Sequence, residues 1–336
     1  MTELEQELGS RTRAVAAAKW IHGGARAALP ASVPGVSKRV WEPFAKTVEL
    51  ETPKVIARAE SEDGTTKYAL DFHGAQVETV RIPAKSRSTI CVSSQAGCTR
   101  RCAFCATKEL GFLRNLTAGE MIAQYALARS EAPAGQPARN VVFMGMGEPF
   151  DNLDEVLKAV RVLTQSPAPQ LKAQSVTVST SGVLPGLKRF LAESKASLAL
   201  SLNATDDETR ARLMPHTRTW PIAALLGELE ADAVRNPKRD HFIEYVVFDG
   251  VNDSLDDAHR LVKLLSKVRA RVNLIPFNAS ALKDAPGLRA PTEAALLRFQ
   301  AVLIEAKMLC MIRWPRGREI AAACGQLALT IGPQVA

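Results

Sequence analysis

The stretch Thr89-Ile-Cys-Val-Ser-Ser-Gln-Ala-Gly-Cys98-Thr-Arg-Arg-Cys102-Ala-Phe-Cys105 joins a short apolar strand to a loop that carries three cysteines. The thiols of Cys98, Cys102 and Cys105 follow the spacing CxxxCxxC. A closed structural zinc site needs four protein ligands, whereas three cysteines can hold a four-iron cluster and leave one iron open to a ligand. The spacing therefore favours an iron–sulfur cluster, and a zinc site completed by Cys91 is the alternative.

Further strand candidates follow this loop, and helical patterns separate them. The candidate strands are Thr89–Ser93, Asn140–Met144, Ser175–Ser179, Ser197–Leu202, Phe242–Val247, Arg271–Ile275 and Met311–Arg313. Helices are predicted from Thr117, where Glu120 completes a capping box, and near residues 153–163, 221–234, 255–268 and 292–306. This alternation predicts an α/β fold, a partial (β/α)6-type TIM barrel over residues 86–336. In such barrels the loops after the strands carry the chemistry.

Residues 1–85 show a different pattern. A helical opening with Trp20 precedes three segments of alternating polarity, near Val55–Glu60, Thr66–Phe72 and Gln76–Ile82. Such segments are typical of an antiparallel meander. We therefore expect a small N-terminal α+β accessory domain before the barrel domain.

Composition narrows the class of protein. The 336 residues are 46% hydrophobic, enough for a sizeable core, and the formal net charge of +8 favours a polyanionic partner such as nucleic acid. No apolar run reaches the roughly 20 residues of a membrane span, and the acidic start MTELEQELGS is unlike a signal peptide. Four of the six cysteines lie within fifteen positions, which suits a metal or redox site in the reducing cytoplasm.

A second motif, Val141-Val-Phe-Met-Gly-Met-Gly-Glu-Pro149, ends a predicted strand in a glycine-rich turn with one acid. Glycines at this place let the backbone approach a ligand, and the carboxylate of Glu148 can bind a cationic amino group. A Gly-x-Gly turn alone is weak evidence. About forty residues after the CxxxCxxC loop, it resembles the motif that holds the methionyl amino group in radical S-adenosylmethionine enzymes.

The amino-acid sequences of several segments, and their order along the chain, resemble those of the RlmN/Cfr family of RNA methyltransferases. The segments are Cys91-Val-Ser-Ser-Gln95, the cysteine loop, Gly111-Phe112, Arg114-Asn-Leu-Thr117, Phe143-Met-Gly-Met-Gly-Glu-Pro149, Ser179-Thr-Ser-Gly182, Asn273-Leu-Ile-Pro276 and Ala323-Cys-Gly-Gln-Leu327. The resemblance implies methylation of an adenine ring carbon in RNA, at C2 for RlmN-like members and at C8 for Cfr-like members. Gly147-Glu-Pro149, Ser179-Thr-Ser-Gly182 and the N-terminal segment look more RlmN-like, so we expect C2.

The resemblance also implies the cofactors and the catalytic residues. Cys98, Cys102 and Cys105 would hold a [4Fe-4S] cluster, and two molecules of S-adenosylmethionine would serve each turnover. The first would methylate Cys324, and the second would yield a deoxyadenosyl radical that takes hydrogen from the S-methyl group, so that a carbon radical adds to the electron-poor base. Cys91 would then release the product by forming a disulfide with Cys324, and Glu78 would remove the ring proton.

Contacts to S-adenosylmethionine are also implied by matching motifs, and they fall at predicted strand ends. They are Gly147, Glu148, Ser179, Ser201, Leu202, Asn203 and Asn278. Two positions depart from the family: Asn203 stands where His is frequent, and Ala321 stands where an acid is common. Cys310 matches no catalytic position, and we expect it in the core.

The predicted partners are RNA, either 23S rRNA or tRNA or both, and an electron donor such as flavodoxin or ferredoxin. The protein is expected to be a monomer with no membrane association. Phosphate contacts are expected from basic residues near the two cysteine loops, namely Arg100, Arg101, Lys108, Arg114, Arg313, Arg316 and Arg318. The target adenine must be unstacked to reach a buried site. Two alternatives stay open: a radical reaction on a small molecule, and a zinc-thiolate RNA-binding module.

Overall fold

A ten-stranded mixed sheet runs through the computed structural model, which describes residues 2–22, 29–165, 167, 170–278 and 287–329. The strands follow one another in the order β1-β2-β3-β4-β7-β8-β9-β10-β11-β12. Their bounds are β1 Lys54–Glu60, β2 Thr66–Phe72, β3 Ala75–Ala84, β4 Arg87–Cys91, β7 Ala138–Phe143, β8 Val176–Thr180, β9 Ser197–Ser201, β10 His241–Val247, β11 Arg271–Pro276 and β12 Leu309–Ile312. A separate hairpin, β5 Gln95–Gly97 with β6 Phe112–Asn115, contains the cysteine loop between its strands.

Strands β4 and β7 to β12 are parallel, and each predicted strand of the barrel is present. Helices follow the strands as βα units require: α4 Ala118–Ser130, α5 Leu153–Gln165, α6 Leu184–Glu193, α7 Asp207–Leu213, α8 Ile222–Arg235, α9 Leu255–Leu265 and α10 Glu293–Glu305. The capping box of Thr117 and Glu120 is formed at the start of α4. Within the described residues no strand pairing joins β12 to the other edge, so the barrel is partial.

The N-terminal part consists of three helices and the predicted meander. The helices α1 Thr2–Leu8, α2 Arg11–Ile21 and α3 Lys38–Thr47 form a small core of their own around Trp41 and Phe44. Strands β1, β2 and β3 are antiparallel, and β3 pairs with β4 so that Val80 lies opposite Cys91. The meander therefore extends the barrel sheet, and the domain division at residue 85 stays a prediction.

Burial of the central strands explains why they are nearly continuous apolar runs. Leu198, Ile243 and Leu274 are completely buried between the helices on one side and the barrel interior on the other. Among the described helices, none has the length and apolar character needed to cross a membrane. In contrast to the apolar strands, the polar residues of the site lie at the carboxyl ends of these strands, where they line a pocket.

The turn after β7 is seated on the segment after β4. Gly145 N donates to Val92 O over 3.1 Å, and Met146 O accepts from Ser94 N over 2.9 Å. A Cβ on Gly145 would lie 2.8 Å from Val92 O, and one on Gly147 would lie 2.6 Å from Gln95 Cβ. Gly147 also has φ +102°, a conformation that L side chains rarely adopt. The glycines of this motif thus allow the turn after β7 to pack closely against the segment after β4, as well as giving access to the pocket.

Gly147→Ala should lower the free energy of unfolding by about 3 kcal/mol, because the new methyl group overlaps Gln95 and the backbone conformation disfavours alanine. Gly227→Ala is the matched control, since Gly227 is exposed on α8 with no atom near its Cβ position. The control should gain about 0.5–1 kcal/mol from helix propensity. Urea denaturation followed by circular dichroism measures both. Equal stability of Gly147→Ala and the wild type would contradict the packing described here.

Candidate active site

One pocket at the carboxyl ends of the parallel strands collects most of the predicted site residues. The predicted residues that line it are Cys98, Cys102, Cys105, Gly147, Glu148, Ser179, Ser201, Asn203, Asn278 and Cys324. Three others, Glu78, Cys91 and Leu202, are not part of its lining. The fold therefore joins the first cysteine loop, the Gly-Glu turn and the C-terminal cysteine across more than two hundred residues of sequence.

The cysteine loop is fixed by backbone contacts at both ends. Cys98 N donates to Gly111 O over 2.8 Å across the hairpin, and Ala106 N donates to Gly325 O over 2.7 Å in the C-terminal loop. Gly97 precedes the loop with φ +75°, and a Cβ there would lie 1.9 Å from Gly111 O, so the hairpin requires glycine at this point. Backbone hydrogen bonds thus fix the position of the loop independently of the three cysteine side chains.

The donor set fits an iron–sulfur cluster better than a zinc ion. The three thiols share one pocket, and burial raises the pKa of Cys98 to about 12, with Cys105 among the nearby groups that raise it further. In the described part of the chain no three His, Cys, Asp or Glu side chains converge closely enough for one ion. A four-iron cluster spaces its cysteines farther apart than a single tetrahedral ion does. Cys91, the fourth ligand of the zinc alternative, is buried outside the pocket.

The Glu148 carboxylate is anchored by donors from two segments. Its Oε1 accepts from Phe150 N over 3.0 Å, and its Oε2 accepts from Ser181 N over 2.8 Å and from Ser181 Oγ over 2.6 Å. Burial raises the pKa of Glu148, and the hydrogen bonds from Ser181 oppose that rise by stabilising the carboxylate. A buried carboxylate with a remaining lone pair on Oε1 is suited to a cationic ligand.

The residues at the carboxyl ends of β8 and β9 differ in the hydrogen bonds that they make. Ser179 Oγ and Ser201 Oγ lie 3.5 Å apart on the pocket wall. Asn203 has φ +59°, and its side chain accepts from Val246 N over 2.8 Å and donates to Met214 Sδ. Leu202 is fully buried, with its carbonyl bound to Arg210. The amide of Asn203 therefore braces β10, and Leu202 belongs to the frame of the pocket.

The C-terminal loop places Cys324 over the pocket. Thr107 Oγ1 donates to Leu327 O over 2.7 Å, which joins this loop to the cysteine loop. Loss of hydration beside the surrounding protein raises the pKa of Cys324 to about 11, and the charge of the Glu244 carboxylate adds to the rise. Glu244 lines the same pocket and was missed by the sequence analysis. Its signal was one acid within the apolar strand Phe242–Val247.

Glu78 lies in a buried ion pair beneath the C-terminal loop. Its Oε1 is 2.8 Å from Lys67 Nζ, and both side chains are almost completely buried. Lys67 Nζ also donates to Ala321 O over 3.3 Å. Burial raises the pKa of Glu78, whereas Lys67 lowers it. An acid on a strand of alternating polarity is usually exposed to solvent, whereas Glu78 is completely buried by tertiary packing.

Cys91 lies on the adjacent strand β4, under the same loop. Burial raises the pKa of the Cys91 thiol, and charge on Cys324 is the next cause, so the two sulfurs lie within electrostatic range of each other. Ala321, the second departure from the family, has φ +51°, which alanine disfavours. Its carbonyl bond to Lys67 holds the start of the Cys324 loop where an acidic side chain is frequent in the family.

Comparison with known proteins defines the class first. The model of the Radical SAM superfamily matches residues 92–264, which span the cysteine loop, the Gly-Glu turn and the strands up to β10. The crystal structure of a radical SAM methyltransferase from Sphaerobacter thermophilus superposes with a TM-score of 0.86 at 35% identity, over 97% of this chain and 96% of that one. Radical SAM enzymes use a [4Fe-4S] cluster and S-adenosylmethionine, and the three cysteines and the carboxylate that line the pocket fit these groups.

Curated relatives narrow the class. The dual-specificity RNA methyltransferase RlmN of Syntrophobacter fumaroxidans is 43% identical over 85% of this chain and 82% of its own length. The RlmN of an Anaeromyxobacter species is 39% identical over 99% of this chain and 89% of its own length. The chain therefore belongs to the RlmN family of radical SAM methyltransferases, and the resemblance inferred from the motifs is confirmed.

Cys102→Ser should prevent stable loading of the cluster, because it removes one of the three predicted cluster ligands. Cys310→Ser is the matched control, since Cys310 is half-buried on β12 and does not line the pocket. After anaerobic reconstitution, iron and sulfide analysis with the visible spectrum should show a brown four-iron cluster in the wild type and the control only. Zinc at one equivalent without iron uptake in the wild type would contradict the cluster assignment.

Proposed function

We propose that this chain methylates C2 of adenosine in RNA, with Cys324 as the methyl carrier, Cys91 as the resolving thiol and Glu78 as the base. The observation that supports the proposal is the placement of Cys324 in one pocket with Cys98, Cys102, Cys105 and Glu148. A thiol beside the group that binds S-adenosylmethionine can accept its methyl group. A methyl group held there also lies beside the cluster ligands.

Two molecules of S-adenosylmethionine serve each turnover. When bound, the cluster and S-adenosylmethionine supply the methyl group, an electron and a radical that abstracts hydrogen. Cys324 first loses its proton, and its sulfur displaces S-adenosylhomocysteine from the methyl carbon. The same sulfur then carries the carbon that becomes bonded to the base, so protein and RNA are joined through a C–S bond.

Release of the product uses the two residues under the C-terminal loop. Glu78 takes the ring proton of the adduct, and Lys67, 2.8 Å away, stabilises the carboxylate form that can accept it. The one electron left on the adduct by radical addition would return to the bound cluster. The Cys91 thiolate attacks the Cys324 sulfur, a disulfide forms, and the C–S bond breaks with its electron pair on carbon. This methylene carbon takes up one proton and stays on the RNA as the methyl group. The contribution of Cys324 to the raised pKa of Cys91 supports this pairing.

RNA contacts are assigned to basic residues whose side chains are exposed. Arg101, Arg313, Arg316 and Arg318 are exposed near the two cysteine loops and are suited to phosphates. Arg100 and Arg114 instead pair with Asp151 and Glu120, and Lys108 donates to Ala103 O. We therefore assign these three residues to holding the loops.

The wider setting of the reaction follows the family. The relatives are named as RNA methyltransferases of dual specificity, which supports 23S rRNA and tRNA as substrates. A flavodoxin or ferredoxin would reduce the cluster, and the reducing cytoplasm would keep its thiolates intact. We propose a monomer as the working unit.

Nucleoside mass spectrometry with retention standards tests the reaction. The reconstituted enzyme, incubated with a reductant, S-adenosylmethionine and unmodified RNA, should yield 2-methyladenosine. RNA from a strain that lacks this enzyme should lack the modification at the same positions, and mapping there identifies the substrates. A product of 8-methyladenosine alone would contradict the C2 assignment, and cleavage of S-adenosylmethionine without RNA methylation would favour a small-molecule substrate.

Replacing Cys324 and Cys91, the two cysteines with proposed catalytic roles, should stop the reaction at different points. Cys324→Ala should leave RNA unmodified and not crosslinked, because no thiol accepts the methyl group, while the cluster still loads. Cys91→Ala should form the carbon–carbon bond and then stall, because no thiolate is placed to break the C–S bond. A denaturing gel with and without ribonuclease should show a slow-migrating protein–RNA band for Cys91→Ala only. Equal behaviour of the two variants, or full turnover by either, would refute these roles.

A further inference from the structure

A hydrogen-bonded chain of side chains runs from His216 through Ser181 to Glu148. His216 lies in the short 3-10 helix Pro215–Thr219 after α7, and its Nε2 is 2.8 Å from Ser181 Oγ. The Ser181 hydroxyl donates onward to Glu148 Oε2 over 2.6 Å. The sequence motifs singled out neither the role of His216 nor that of the Ser181 side chain, and the chemistry proposed above uses neither.

The number of protons fixes the direction of this chain. A serine hydroxyl carries one proton, and here that proton is donated to the carboxylate. Ser181 Oγ must therefore accept from His216, so His216 Nε2 carries a proton. His216 Nδ1 is buried and has no hydrogen-bond partner among the described residues. Burial, with the charges of Arg100 and Arg210, lowers the pKa of His216 to about 4, which is consistent with a neutral ring whose only proton is on Nε2.

Ser181 is held at every one of its polar groups. Its carbonyl accepts from Arg210 Nη2 over 2.6 Å, and its N–H donates to Glu148 Oε2 over 2.8 Å. With His216 bound to the hydroxyl oxygen, the hydroxyl cannot rotate away without losing a hydrogen bond. Glu148 Oε2 is thereby occupied by two donors, and Oε1, with Phe150 N as its donor, keeps a lone pair for a ligand in the pocket.

We propose that His216 is a positioning residue for the amino group of S-adenosylmethionine, acting through the Ser181 hydroxyl on the carboxylate of Glu148. The inference rests on the proposed function, since it takes S-adenosylmethionine as the ligand and Glu148 as its ammonium site. A donor on the hydroxyl oxygen polarises the O–H bond and strengthens its contact with the carboxylate. If His216 only packed the turn after α7, replacing it would weaken the binding of every part of the ligand to the same degree.

Binding of S-adenosylmethionine to the full-length, cluster-reconstituted protein tests this role. In anaerobic equilibrium dialysis, His216→Leu should raise the Kd for S-adenosylmethionine about fivefold, the scale expected when one hydrogen bond between neutral groups is lost. His216→Gln is the matched rescue variant, because its side-chain amide can still donate to Ser181 Oγ. Its Kd should stay within about twofold of the wild type on the same scale.

A second ligand separates positioning from a general packing effect. 5′-Methylthioadenosine keeps the adenine, ribose and methylthio group but has no amino acid portion, so its displacement constant should be the same for His216→Leu and the wild type. Adding Ser181→Ala to His216→Leu should weaken S-adenosylmethionine binding no further than Ser181→Ala does alone, because the chain is already broken.

The outcomes distinguish this inference from the proposed function. A reconstituted wild type that fails to bind S-adenosylmethionine would refute the proposed function, and this inference with it. If the wild type binds, three results would each refute the inference alone: unchanged binding by His216→Leu, equal weakening by the Leu and Gln variants, or equal loss for both ligands.

Discussion

Hydrogen bonds between the turn after β7 and the segment after β4 are the contact on which the active site depends. Met146 N donates to Ser93 Oγ, Glu148 N donates to Gln95 Oε1, and Met146 O accepts from the backbone after Ser93. The first segment leads directly into the cysteine loop, and the second contains the carboxylate. Their relative position is therefore set by main-chain geometry, which requires glycine at 145 and 147 because any Cβ there meets the opposing segment. We expect cofactor binding to leave this frame unchanged.

The remaining walls of the pocket attach to this frame through polar groups at strand ends. Ser181 ties the end of β8 to Glu148, and Arg210 ties Ser181 to the end of β9 through carbonyl oxygens. The C-terminal loop closes the other side by its bonds to the cysteine loop and to Lys67. This arrangement accounts for a chain whose reactive thiols are distant in sequence. The polar groups that hold the walls together are bound largely to backbone atoms, and the thiols of Cys98, Cys102, Cys105 and Cys324 line the pocket between these walls.

Much of the fold was predictable because its signals are local. The strands β4 and β7 to β12, the meander and the capping box of α4 follow from apolar runs and single capping residues, and the cysteine spacing and the motif resemblance indicated the pocket lining. What could not be predicted depends on long-range contacts. Helices α3, α6 and α7 and the hairpin around the cysteine loop were missed. Pro43 in α3 and Pro185 in α6 interrupt the helical pattern, and α7 has only seven residues. The burial of Glu78 beside Lys67 and the contacts of Glu244 and His216 arise only when separate strands and turns are packed together.

The central claim is that one preassembled frame places the cluster and the amino group of S-adenosylmethionine side by side. A crystal structure of the reconstituted protein with S-adenosylmethionine, grown without oxygen, tests it most directly. The account predicts a [4Fe-4S] cluster on Cys98, Cys102 and Cys105, with the methionyl ammonium hydrogen-bonded to Glu148 Oε1 and the segments 92–95 and 145–148 unmoved. A cofactor bound away from Glu148, or a frame that rearranges to accept it, would contradict the account.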